Sequence, residues 1–249
     1  MFRRGPAETV DPTWKGVYRV GGIAMMATGA LYYAFIVMGS IIGPAPSSGD
    51  DYYNALAAHT TVAQALFWIF IVSDLLLLPG LLAFYFALKG VNQNAMTLAA
   101  AIVALYLIFD IAVTETASLT LVTLIQQSAS ATTDAQRTAY AAAADFARAT
   151  LPMATFLSWF LGCVGWLIVN VVMLRGSFVK ATAALGIAFS VEGILGSFYL
   201  LVPAFTVLLN PALATFGIWC IFSGIRFLTL SRRTAKAPFV EARNKTTST

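Results

Sequence analysis

Four carboxylates stand at places in this chain where nothing basic accompanies them. Asp74, Asp110, Glu115 and Glu192 lie inside long apolar segments, in IVSDLLLLPG, LYLIFDIAVTETASLTLVT and SVEGILG. An ionised acid at membrane depth costs several kcal/mol unless it faces a bundle interior or water and finds a partner, so each is a candidate for binding. Like charges crowded in a low dielectric cannot all ionise, so a proton must be held among them or a cation must sit there. The chemistry this predicts is binding of a proton, a metal cation or a small organic amine. The plainer alternative is that each acid is protonated and hydrogen-bonded separately.

Spacing adds detail around each acid. Asp110, Thr114 and Ser118 follow an i, i+4, i+8 pattern that puts them on one face of a helix. Glu115 should lie about 140° around the axis from Asp110, roughly a turn and a half further along. One acid would then point into the bundle centre and the other into an adjacent crevice. Asp74 is followed by Pro79 and Gly80, and the proline frees a backbone carbonyl near Leu75 and can kink the helix beside the acid. Glu192 is followed by Gly193, Gly196 and Pro203. Asn170 and Trp166 are accessory candidates on a fourth segment, and Tyr32, Tyr33, Tyr106, Trp159 and Trp166 could supply cation–π walls.

Metal and enzyme chemistry find less support in the residues. His59 is the only histidine, in an outer loop, and Cys163 and Cys220 are single cysteines in apolar segments, so no zinc or haem ligand set is visible and the metal question stays open. There is no HExxH, CxxC, GxSxG or GxGD motif, and no lysine in mid-segment for a retinal. A non-enzymatic role is expected, with no cofactor.

The elements that must position these acids follow from composition. With 59% hydrophobic residues, 10% charged and a mean hydropathy of +0.80, the chain is too apolar for a soluble domain, whose charged fraction is about a quarter. The expected fold is all-α, a polytopic bundle of six transmembrane helices over about 17–43, 62–88, 95–127, 150–174, 181–205 and 212–230. Three parts are predicted: an N-terminal segment 1–16, a transmembrane domain 17–230, and a basic tail 231–249 that composition marks as disordered. Ser47 or Ser48 should cap a short outer helix in the first loop, and Thr132 or Thr133 a second, alanine-rich one that runs into the fourth span. Gly21, Gly22, Ala27, Gly29 and Ala30 should let a neighbouring helix come close to the first span.

Alternating the spans puts every basic residue on one side except Arg137 and Arg148. The positive-inside rule then places both termini in the cytoplasm of a cell-membrane protein, with the lipid bilayer and its anionic headgroups as partners. No basic groove interleaved with aromatics points to nucleic acid. Two triplets of spans would also be related as inverted repeats, with Asp74 and Glu192 as counterparts.

The stretch WLIVNVVMLRGSFVKATAALGIAFSVEGILG, the closing FGIWCIFSGIRFL and, loosely, SDLLLLPGLLAFYFAL carry a resemblance. On these segments the chain resembles a family of uncharacterised prokaryotic six-span membrane proteins catalogued only as a domain of unknown function. That resemblance implies six spans and brings no activity. Two roles remain in view: a transporter or sensor built on midplane carboxylates, or a non-catalytic subunit or assembly factor packed against other membrane subunits. Convergence of the acids would favour the first.

Overall fold

The computed structural model describes residues 12–42, 49–176 and 178–233. The chain is helical throughout, without a strand among the described residues. Helix α1 spans Lys15–Ile42, α2 Gly49–Ala58, α3 Thr60–Leu88 and α4 Gln93–Phe109. A single π-helical turn, Asp110–Glu115, joins α4 to α5, Thr116–Ala129. Then come α6, Asp134–Met173, and α7, Lys180–Ser197. Two 3-10 turns, Phe198–Leu200 and Pro203–Leu208, lead into α8, Leu209–Arg233. Six of these stretches are long and apolar enough to cross a membrane, the third being α4, the π turn and α5 taken together. This is a multi-pass membrane protein by its helices.

Polarity is distributed inside out. On α3 the side chains of Ser73 and Asp74 are fully buried, while Leu75, Leu78 and Leu82 face outward. A soluble helix would reverse this, but a lipid solvent takes the leucines and leaves the polar groups to the interior.

The spans form a ring in chain order. Helix α3 packs on α1 and on the α4–α5 rod, that rod on α6, α6 on α7, α7 on α8, and α8 back on α1. Closure of the ring rests on glycine. A Cβ on Gly29 would come within 2.6 Å of the Gly217 carbonyl oxygen, and one on Gly224 within 2.6 Å of the Gly22 carbonyl oxygen, so α1 and α8 touch backbone to backbone. The expected small-residue face is real, but Ala24 and Thr28 complete it. Ala27 is only half-buried and Ala30 points outward.

Aromatic rings fill the half of the ring that includes Leu88 and Met173. Phe84 stacks on Trp219 at 5.2 Å, and Trp166 meets Trp219 edge-on at 5.3 Å. Phe178 and Phe227 both pack on Phe84. At the other end a smaller cluster holds Leu56 of α2 with Ala63, Leu121, Val122 and Ile125. Helix α2 therefore lies over that end of the bundle, against α3 and α5.

Several boundaries differ from the sequence reading. The fifth span stops at Leu200, and Pro203 opens a 3-10 turn rather than ending that helix. Proline has no amide hydrogen to give and suits a first turn. By contrast α3 runs through Pro79 without interruption. Helix α8 continues to Arg233, so the first residues of the expected tail are helical. The Thr133 side chain caps α6 by accepting from the Gln136 N–H at 3.2 Å. Ser47 and Ser48 lie outside the described residues.

Candidate functional site: a carboxyl pair at a π turn

Asp74 reaches the site from α3, two helices round the ring from α8. Its side chain is inaccessible, and its Oδ1 accepts a hydrogen bond of 3.1 Å from the Tyr106 hydroxyl on α4. Asp110, one turn beyond Tyr106, brings its carboxyl within hydrogen-bonding reach of Asp74. The hydroxyls of Thr114 and of Ser158 on α6 lie beside Asp110. Three walls of the ring thus meet at two carboxyls.

The π turn decides where Glu115 goes. In π-helical geometry the N–H of a residue bonds to the carbonyl five residues back, so residues five apart stand one above the other. The Thr116 hydroxyl marks the widened turn by donating to the Ile111 carbonyl at 2.8 Å, also five residues back. Asp110 and Glu115 therefore share a face, each 5% exposed, and their charges act on one another. The 140° separation expected from α-helical geometry is corrected: one extra residue in the turn removes it.

Buried polar groups are nearly always paired, so those left over are informative. Asp74 Oδ2, Asp110 Oδ1, Thr114 Oγ1 and Glu115 Oε2 are all shielded from solvent and accept or donate no bond within the protein. The phenol of Tyr32 on α1 stands within electrostatic range of all three carboxyls, its ring held between Phe70 and Phe216. Ser118 is buried one turn beyond Thr114 and donates to the Thr114 carbonyl.

Other candidates fall elsewhere. Glu192 stands apart from the group: it is half-buried on α7, whose neighbours are α6 and α8, with its Oε2 buried and unpartnered there. Sharing a depth is not sharing a face. Its burial differs from that of Asp74, which is fully inaccessible. Asn170 is wedged between α6 and α7, its amide donating to the Trp166 carbonyl at 2.8 Å and lying against Gly186. Trp166 belongs to the aromatic core. His59 precedes α3 at the end covered by α2. Trp159 is partly buried against the core, and Tyr33 donates to the Ala214 carbonyl.

Sequence reasoning missed Ser158. A serine among WFLG-type neighbours carries no motif, and only the approach of α6 to the π turn brings it to Asp110. Among the described residues no three His, Cys, Asp or Glu side chains are arranged to hold a metal ion.

Comparison of the chain with protein families, with curated proteins and with solved structures gives no match.

Proposed function

We propose that Asp74 and Asp110 share a proton in the core of this membrane protein, and that taking up and releasing it drives a change in helix packing, as a proton-linked transporter or sensor requires. One observation carries the reading: two buried carboxyls in mutual hydrogen-bonding reach, with no cationic side chain in mid-span. A carboxyl–carboxyl hydrogen bond needs a proton on one of the two, because two bare carboxylates in contact repel in a low dielectric. Tyr106 holds the second oxygen of the pair in place. Deprotonation would set Asp74 and Asp110 apart, and with them α3 and the π turn.

The resemblance to a six-span family without an assigned activity is consistent with this reading and adds nothing to it. The subunit alternative has no comparable support, because the acids point inward.

Infrared difference spectroscopy tests the proposal directly. A protonated-carboxyl stretch that shifts on exchange into heavy water should be present at neutral pH, and the component due to the pair should be lost in Asp110→Asn. A carbodiimide, which modifies protonated buried carboxyls, should label the pair in the wild-type chain, and that label should be lost in Asp110→Asn. Absence of both signals would mean the pair is ionised and the proposal wrong.

A further inference from the structure

The shared proton needs a way in, and the two ends of the site differ. Toward the Leu88 end, the buried face of α4 offers Val103, Ala99 and Met96, followed by Phe84, Trp166 and Trp219. On this face of α4 no side chain can pass a proton. Toward the α2 end, the groups succeeding Asp110 are Thr114, Glu115 and Ser118, of which Thr114 Oγ1 and Glu115 Oε2 are buried without a partner. The next residue, Thr116, opens a shallow groove of about 320 Å³ along the exposed face of α5, lined by Thr116, Leu119, Thr120, Thr123, Leu124 and Gln127. Thr116, Thr120, Thr123 and Gln127 are exposed, recurring on one side of the helix up to its outer end. The three threonine hydroxyls donate to carbonyls of the same helix at 2.7–2.9 Å, which leaves their oxygens to accept from water.

We infer that Glu115 is the relay joining the Asp74–Asp110 pair to water in this groove, so that the site exchanges its proton with the α2 face alone. This deepens the proton-sharing reading and rests on it. The Glu115 carboxyl gives its proton to groove water at Thr116 and, as a carboxylate, takes the next one from the pair, directly or through the Thr114 hydroxyl. The reverse sequence reloads the pair. The titratable groups facing Glu115 are Asp110 on its own turn, Asp74 on α3 and Tyr32 on α1, with Tyr106 on α4 bonded to Asp74 behind them. Helix α6 presents the hydroxyl of Ser158, its closest ionisable residues in sequence being Arg148 and Cys163, the latter against Gly193 of α7.

The π turn gives this role a physical reason. Were Asp110–Glu115 α-helical, the two acids would diverge around the axis and no single step could connect them. A π turn gives up regular hydrogen-bond geometry and such turns gather at functional sites.

The test uses vesicles in which all copies face one way. A pH jump at the α2 face should change the carboxyl band of the pair, and the same jump at the opposite face should not. Glu115→Gln should slow the response by about 10²-fold, the scale of losing one proton-transfer group, and Glu115→Asp should recover part of the rate. With Cys163 and Cys220 replaced by serine, Thr120→Cys should react with a charged, membrane-impermeant thiosulfonate, whereas Leu98→Cys, exposed on the lipid side of α4, should not. An equal response from both faces, an unslowed Glu115→Gln or an unreactive Thr120→Cys would overturn the relay while leaving the shared proton standing. A wild-type chain with no carboxyl band would overturn the shared proton and the relay with it.

Discussion

Replacing Gly29 by alanine should weaken the bundle where replacing Gly39 does not, although both glycines lie on α1. A Cβ at Gly29 would stand 2.6 Å from the Gly217 carbonyl oxygen and 2.7 Å from Ile221 Cγ1, whereas one at Gly39 meets nothing within 4 Å. Ordinary contact begins near 3.4 Å, so α1 and α8 must part by about 0.8 Å, a gap that forfeits a quarter to a half of each contact they share. The backbone oxygen cannot rotate away as a flexible side chain could. Overpacking of this kind costs about 1–3 kcal/mol, against which alanine recovers about 0.5–1 kcal/mol of helix propensity. The net expectation for Gly29→Ala is a loss of about 1–2 kcal/mol, with Gly39→Ala neutral or slightly stabilising. Unfolding in mixed micelles of rising dodecyl sulfate fraction, followed by the fluorescence of Trp166 and Trp219, measures the difference. The effect should also reach the site, since Thr28, which donates to the Ser73 carbonyl, and Tyr32 flank Gly29 on α1. If Gly29→Ala unfolds no earlier than Gly39→Ala, backbone contact between α1 and α8 does not hold the ring closed.

Three further outcomes can be measured. Tyr106→Phe removes the donor to Asp74 Oδ1 at 3.1 Å and should cost about 1 kcal/mol in the same unfolding assay, less than a buried acceptor would lose in a soluble core because the membrane-embedded unfolded state finds substitutes; no loss would mean that bond is not formed. Gly186→Ala should push the Asn170 side chain off its seat against α7 and destabilise by about 1–3 kcal/mol, whereas Gly16→Ala, with nothing nearby, should not. A reporter fused after Lys236 should be active in the cytoplasm and one inserted near Thr133 outside, as the basic-residue asymmetry predicts; reversal of both would invert the topology.

The spans and their acids were legible in the amino-acid order alone. Whether a segment crosses a bilayer depends on its own length and hydropathy, and a carboxylate within it is unusual whatever surrounds it. Asp74, Asp110 and Glu115 were therefore visible as candidates, together with Thr114 and Ser118 on the Asp110 face. Which acids meet was not legible. Span counting gives Glu192 the same depth as Asp74, yet it stands on α7, between α6 and α8. Glu115 lies 140° away by α-helical counting, yet the π turn returns it to Asp110. Ser158 has no motif and becomes part of the site because α6 packs on that turn. The reason is common to all three: hydropathy constrains each helix against lipid separately, and lipid does not distinguish one rotation of a helix about its axis from another where both faces are apolar. Rotation and local winding are settled by neighbouring helices, through glycines such as Gly29 and Gly186 that admit a backbone and through buried polar groups such as Asp74 that must find a partner.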